Sequence, residues 1–337
     1  MSRLRLTLLC SIAAGCLLAP VQAEDAVSEK QIRDAIQKSI SYIERDGEKW
    51  IKVKKCNSCH MIPFMLWSLH EAELRGIKVN SKRLVELDDW SATAIQPKDP
   101  KKPPKGSETQ AQLLIVRAGY GGELEERFQK MLKRVVEAQQ DYGGWQAGGQ
   151  LPTQKRSKQE TAEVSTLWNL LALRTVEGAE DQRPKIEEAA EKWLASSELA
   201  KNKSAKSAEW FTMRLLLEAR RGDDKAVDSA RSDLLNLQRE DGGWGWLTGS
   251  ESDALATGPA ILALTQSGLT GEDEAVQKAV KFLLETQRED GTWRVESTRA
   301  RDKGAVKPTS VYWGTTWAAI GLSQLLPIDE KAKVAQQ

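Results

Sequence analysis

The feature that most constrains this chain is a seven-residue element that it repeats. Gln238-Arg239-Glu240-Asp241-Gly242-Gly243-Trp244 returns as Gln287-Arg288-Glu289-Asp290-Gly291-Thr292-Trp293, and more loosely as Gln139-Gln140-Asp141-Tyr142-Gly143-Gly144-Trp145. Each copy follows a run with helical spacing, such as Val276, Val280, Leu283 and Leu284. Each precedes a polar loop and then a second, more apolar helix. Fainter copies complete the series: Asp46-Gly47 before Trp50, Asp88-Asp89-Trp90, and a helix that keeps only Trp193. A period of this length means a repeat architecture. Six helix-loop-helix units are expected to start near residues 28, 81, 128, 184, 225 and 273. Their second helices should cover about 61–74, 109–118, 161–175, 207–220, 255–267 and 311–325.

The second helices are apolar nearly all round, as in Ala260-Ile261-Leu262-Ala263-Leu264, whereas the first helices are amphipathic. The first kind must be buried and the second must face water on one side. Six of each predict an all-α protein, an α/α toroid with the apolar helices inside. An open solenoid would need polar caps on its terminal units. Within the repeated element, Gly should end the outer helix with a positive φ. Trp should fold back between neighbouring units, and Gln and Asp should bond adjacent helix ends. These residues read as structural.

The start of the chain reads as an export signal. Arg3 and Arg5 precede an apolar stretch from Leu6 to Ala19, and Val21-Gln22-Ala23 offers a cleavage site. Ala13-Ala14-Gly15-Cys16 is a degraded lipobox behind a short apolar core, so a cleaved leader over residues 1–23 is preferred to a lipid anchor. The expected layout is a single toroid domain over 24–329 and a flexible tail over 330–337, in a periplasmic protein without a transmembrane helix. Losing Arg3 and Arg5 takes the formal charge from +1 to −1. No nucleic-acid motif appears, and a chain this close to neutral is no general polyanion binder.

Its charges are nevertheless sorted. The loops within units are basic, through Lys52, Lys54 and Lys55, Lys98, Lys101, Lys102 and Lys105, Lys155, Arg156 and Lys158, Lys201, Lys203 and Lys206, and Arg299, Arg301, Lys303 and Lys307. The loops between units are acidic, through Glu123, Glu125 and Glu126, Glu177, Glu180 and Asp181, Asp223 and Asp224, and Glu272, Asp273 and Glu274. Helix N-termini account for the acidic end. The basic end is expected either to be a solvated rim or to meet an anionic ligand, haem propionates, lipid headgroups or a redox partner. Glu251 and Asp253 depart from this rule in the fifth unit.

Removal of the leader takes Cys10 and Cys16 with it, and the two remaining cysteines belong to Cys56-Asn57-Ser58-Cys59-His60. This is the c-type haem attachment pattern. Two thiols add to the vinyl groups, and the adjacent His60 reaches the iron. A covalent haem c is therefore expected, with a disulfide or dithiol pair as the alternative. With His60 and His70 the only histidines, a zinc site would need both to converge on the two cysteines. His70 lies ten residues beyond His60, about 15 Å along a helix, and is unsuited to share its iron. Met213, on the inner helix of the opposite unit, is a candidate sixth ligand, with a buried core methionine as the alternative.

The Gln-x-x-Asp-Gly-Gly-Trp copies resemble the repeats of the squalene–hopene cyclase and prenyltransferase superfamily. The resemblance extends through all six units and implies an α/α toroid. It also implies a site: Trp246 to Gly258 falls where the cyclases carry an Asp-rich proton donor, and Asp253 stands there with Glu251 two residues before it. A lone aspartate equally suits a helix cap. The Asp-Cys-His zinc set of protein prenyltransferases is missing. Two functions are thus carried forward: a haem protein exchanging electrons at its basic mouth, and a protein binding or cyclising a hydrophobic terpenoid in its central cavity. In the second, Asp253 would be the acid and Trp168, Trp210, Trp313 and Trp317 would be cavity aromatics. An interaction scaffold with a structural haem is a further reading.

Overall fold

The computed structural model describes residues 27–54, 61–94, 107–120, 125–148, 151–202 and 204–330. The expected leader, the cysteine motif and all but the first residue of the expected tail lie outside them. The described residues form α1 (Glu29–Lys54), α2 (Ile62–Leu74), α3 (Ser81–Ala94), α4 (Glu108–Tyr120), α5 (Glu126–Glu137), α6 (Lys158–Thr175), α7 (Arg183–Ser196), α8 (Glu198–Asn202), α9 (Ala208–Arg221), α10 (Asp224–Leu235), α11 (Ala254–Gln266), α12 (Glu274–Thr286) and α13 (Pro308–Ser323). No β-sheet occurs among them, only isolated bridges.

The inner helices α2, α4, α6, α9, α11 and α13 touch in that order, and α13 returns to α2. The ring is closed, as an α/α toroid. The expected helix starts hold to within a few residues. The pattern works because the inner row has nothing to show to water: every residue of α11 from Ala254 to Leu264 is buried. The outer α12 buries only a stripe of Val276, Ala279, Val280, Phe282 and Leu283.

The repeated element is the joint between units, with three bonds each time. The indole nitrogens of Trp145, Trp244 and Trp293 each donate to a carbonyl ten residues back on their own outer helix, Val135, Leu234 and Leu283, at 2.8 Å in every copy. Their backbone N–H groups donate to a threonine hydroxyl on their own inner helix, Thr166, Thr257 and Thr315. The Gln amide then crosses to the next outer helix. Gln139 donates to the Ile186 carbonyl, Gln238 to Ala275 and Gln287 to Ala35. The last of these joins the sixth unit to the first.

Two expectations about this element need correction. The outer helices end several residues before the glycine, so Gly143, Gly242 and Gly291 are not helix caps. Each closes a tight turn with positive φ and rests against a backbone carbonyl of the next outer helix. A Cβ on Gly242 would sit 2.5 Å from the Lys278 oxygen, so both conformation and space require glycine. The aspartates make local turns and do not bond a neighbouring helix. The Asp241 carboxylate accepts from Gly243 N and Ser252 Oγ, and Asp290 from Thr292.

The acidic end behaves as helix-terminus chemistry predicts. Asp223 caps α10 by accepting from Lys225 N and Ala226 N, and Glu274 pairs with Lys278. The tightest helix contact in the ring is α11 on α13, where Gly258 and Gly321 let the backbones meet. A Cβ on Gly258 would collide with the Trp317 carbonyl. Gly258→Ala is expected to cost roughly 1–3 kcal/mol by overpacking. Gly119→Ala, on α4 with open space around it, should instead add up to about 1 kcal/mol of stability. Urea unfolding of the two variants checks both signs.

Candidate functional site

The toroid axis is filled midway along its length. Phe64 lies 4.9 Å from Trp317, 5.9 Å from Trp313 and 6.2 Å from Trp168, centroid to centroid, and Trp67 lies 5.5 Å from Trp317. Tilted and edge-on contacts of this kind suit the ring quadrupoles. Three of the four expected aromatics therefore converge. Trp210 does not: it packs on Phe211 and donates to Glu163 between α6 and α9. Phe64 and Trp67 were missed, although their i, i+3 spacing at the start of an all-apolar helix is a legible signal.

Above this aromatic plug, at the end where the inner helices begin, two loops from opposite units meet. Gln154 and Arg299 form an antiparallel bridge, and Lys155 N donates to the Thr298 carbonyl at 2.8 Å. The third unit thus reaches the sixth across the mouth. This strap is rooted on Glu108, whose carboxylate accepts from Gly148 N and Ser165 Oγ. Burial pushes the Glu108 carboxyl upward, against those bonds.

The mouth is not uniformly basic. Beneath the exposed Lys52, Lys54, Lys155, Lys158, Lys206, Arg301, Lys303 and Lys307 lies a layer of carboxylates at the N-termini of inner helices, where the helix dipole favours them. Glu160 accepts from Ser207 N, Ser207 Oγ and Lys206 N. Glu163 accepts from Trp210 Nε1 at 2.7 Å and from Ser197 Oγ. Arg156 was expected on the rim, but its side chain is fully buried and pairs with Glu209 at 2.8 Å. The cause is the strap, which turns Arg156 inward as Lys155 pairs outward. A cavity of about 50 Å³ lies below, walled by Arg156, Gln154, Gln112, Glu209, Trp168 and Trp313 among others.

The expected site residues distribute as follows. Cys56, Cys59 and His60 lie outside the described residues. They belong to the link between Lys54 of α1 and Ile62 of α2, which opens the inner row. Just beside that link is an apolar groove of about 220 Å³, lined by Tyr42, Trp50, Val53, Met61, Pro308 and Tyr312 among others. Val53 is 66% exposed. His70 stands in the C-terminal half of α2, stacked on Tyr120 at 4.7 Å, with Nε2 2.8 Å from Asp88. Met213 is buried in α9 and is not among the residues walling the mouth cavity. No group of His, Cys, Asp and Glu that could hold a metal ion forms among the described residues. None of the helices described is long and apolar enough to cross a membrane.

Asp253 caps α11, accepting from Ala256 N at 2.9 Å and Trp246 N at 3.3 Å. Desolvation pushes its carboxyl up to about 6, against these backbone bonds. Glu251 is exposed, so the two carboxylates do not share an enclosed site. Neither walls the mouth cavity.

Residues 207–306 match the family described as the squalene-hopene cyclase C-terminal domain. Among solved structures, the fold is similar to a possible member of the GH105 family from Klebsiella pneumoniae, at 13% identity and a TM-score of 0.56, covering 95% of this chain and 98% of that one. A possible GH105 member from Salmonella enterica aligns at 14% identity and 0.55, over 94% and 98%. A type II terpene cyclase from Scytonema aligns at 12% identity and 0.51, over 88% and 97%. No protein of curated function matches the sequence. The fold is therefore that of the cyclase-like α/α toroids. Because the same ring serves proteins described in such different terms, it does not choose the chemistry.

The folded-state pKa of Asp253 lies above its ordinary value of 3.8. Protonation thus favours the fold, and stability attributable to this group is lost as pH rises from 3.8 to about 6. Asp253→Asn keeps a capping oxygen but cannot ionise. Its stability relative to wild type should climb across that window, by at most about 3 kcal/mol at 1.36 kcal/mol per pKa unit. Unfolding curves at a series of pH values measure the slope.

Proposed function

We propose that this chain is an exported c-type haem protein built on a cyclase-like toroid, exchanging electrons with a partner at the mouth. The observation that carries this reading is the place of Cys56-Asn57-Ser58-Cys59-His60 in the architecture. Lys54 and Met61, the described residues that flank the motif in sequence, lie at the end where the strap and the exposed lysines lie. The described residues beside it suit a flat, apolar group: the exposed Val53 and half-buried Trp50 offer a hydrophobic face, with the buried Met61 and Tyr312 in the same groove. Cys56 and Cys59 would hold the haem and His60 would ligate its iron, and the bound group would supply one-electron exchange. The chain's part is to keep one face of that group from water and to ring it with cations that attract an acidic partner. The Arg3/Arg5 leader supports export, where such attachment is made.

A second reading, a terpenoid-binding or terpenoid-cyclising protein, is favoured by the cyclase match over 207–306 and by the raised Asp253 carboxyl. Against it, the axial aromatics leave about 50 Å³ at the mouth and about 230 Å³ at the other end of the inner ring, where ligand pockets are typically about 300–1,000 Å³. A terpenoid would need the Phe64, Trp168, Trp313 and Trp317 rings to part.

The deciding measurement is the intact mass of the mature chain produced with haem-maturation machinery. A gain of one haem that survives denaturation and vanishes in Cys56→Ala/Cys59→Ala is expected. An unmodified mass in a competent host would overturn the haem reading and bring the terpenoid reading forward.

A further inference from the structure

The mouth cavity holds an arrangement that the fold does not use. Arg156 is 7% exposed, and only one of its terminal nitrogens is engaged: Nη1 donates to Glu209 and to Ser207 Oγ. Nε and Nη2 are buried and have no partner in the protein. These two atoms form one edge of the guanidinium, the edge that receives a carboxylate in two parallel bonds. Leaving charged donors buried without an acceptor is costly, and the Trp246 ring, 5.7 Å from the guanidinium carbon, supplies no lone pair for them.

Two acceptors in the wall of the same cavity lack donors. Gln112 and Gln154 are both more than nine-tenths buried, and each has an amide oxygen without a partner. Trp168 and Trp313 supply apolar wall between these polar atoms. Glu209 already neutralises Arg156, but Arg299 on the cavity wall adds a second positive charge. The half-buried Arg299 and Thr309 mark where the cavity opens to solvent.

From this juxtaposition we infer that the strap-covered mouth cavity is a binding site for a short hydroxycarboxylate. The carboxylate lies on the Nε–Nη2 edge of Arg156, and the hydroxyl donates its one proton to the amide oxygen of Gln112. The ligand is small because the space is small, about 50 Å³, room for a few waters at most. The inference is independent of haem attachment, since every residue it uses lies on the strap, on the inner helices or in the sixth unit's loop.

The test is glycolate and acetate binding to the mature chain, read by the fluorescence of the wall tryptophans and by calorimetry. Glycolate should bind more tightly than acetate. Arg156→Lys keeps the charge but loses the edge, and should weaken both by about tenfold or more while circular dichroism stays unchanged. Gln112→Leu, at a residue whose oxygen bonds nothing in the protein, should abolish the preference for glycolate and leave acetate binding. That second variant keeps the test open should Arg156→Lys fail to fold. Binding of neither acid, as expected for a cavity holding water only, would overturn the inference. Equal binding by wild type and both variants would do the same. Binding seen only in Cys56→Ser/Cys59→Ser would also overturn it, assigning the Arg156 edge to a propionate of an attached haem.

Discussion

A ring of helical hairpins depends on each unit being bound to the next, and here one side chain makes that connection at three of the six joints. The glutamine that opens the repeated element donates sideways into the following outer helix, while the tryptophan six residues later is bonded to its own unit at both its backbone and its indole nitrogen. The two residues divide the work. Tryptophan fixes the angle between a unit's own helices, and glutamine fixes the step to the neighbour. Because the turn between them is clamped, the glycine can press against the next helix backbone. Three copies with the same 2.8 Å indole bond show how little the step varies. A constant step is what lets six units close without a gap.

Closure decides where function can sit. Once the inner helices meet, their apolar faces have only the axis to fill, and Phe64, Trp67, Trp168, Trp313 and Trp317 fill it. The two ends of the axis are then chemically different places. At the far end Glu71 is satisfied by Arg75, Tyr120 and Gln324, a knot without spare valence. At the mouth, the strap buries Arg156 with valence left over. The molecule is thus rigid through its middle and chemically open at one end, the end beside the Cys56–His60 segment.

Much of this was legible in the residues. The period, the glycine-tryptophan turns and the contrast between helices such as α11 and α12 specify the toroid, because each is a local signal that recurs, the turns three times and the helix pairs six. The central aromatics can be read from inner-row positions, Phe64 and Trp67 among them at i, i+3 on α2. The mouth was misread in part. Arg156 looks like one more basic loop residue, and nothing near it in sequence announces that Lys155 will pair with Thr298 from the far side of the ring. Gln154 also reaches Thr298, and pairing between residues 144 apart leaves no local trace. The carboxylates Glu108 and Glu160, in the first turn of inner helices, and Glu163, one turn on, likewise give a signal whose partners only the fold supplies.

The bond from Gln287 to Ala35 spans 252 residues. Bringing such distant points together costs on the order of 5 kcal/mol in chain entropy alone. That cost cannot be offset until the last hairpin exists to pack against the first. During synthesis α1 therefore waits, with its buried face of Ile32, Ile36, Ile40 and Ile43 uncovered by α12 and α13, until almost the whole chain has emerged. The order of assembly runs against the order of synthesis: the helix made first is among the last to be seated.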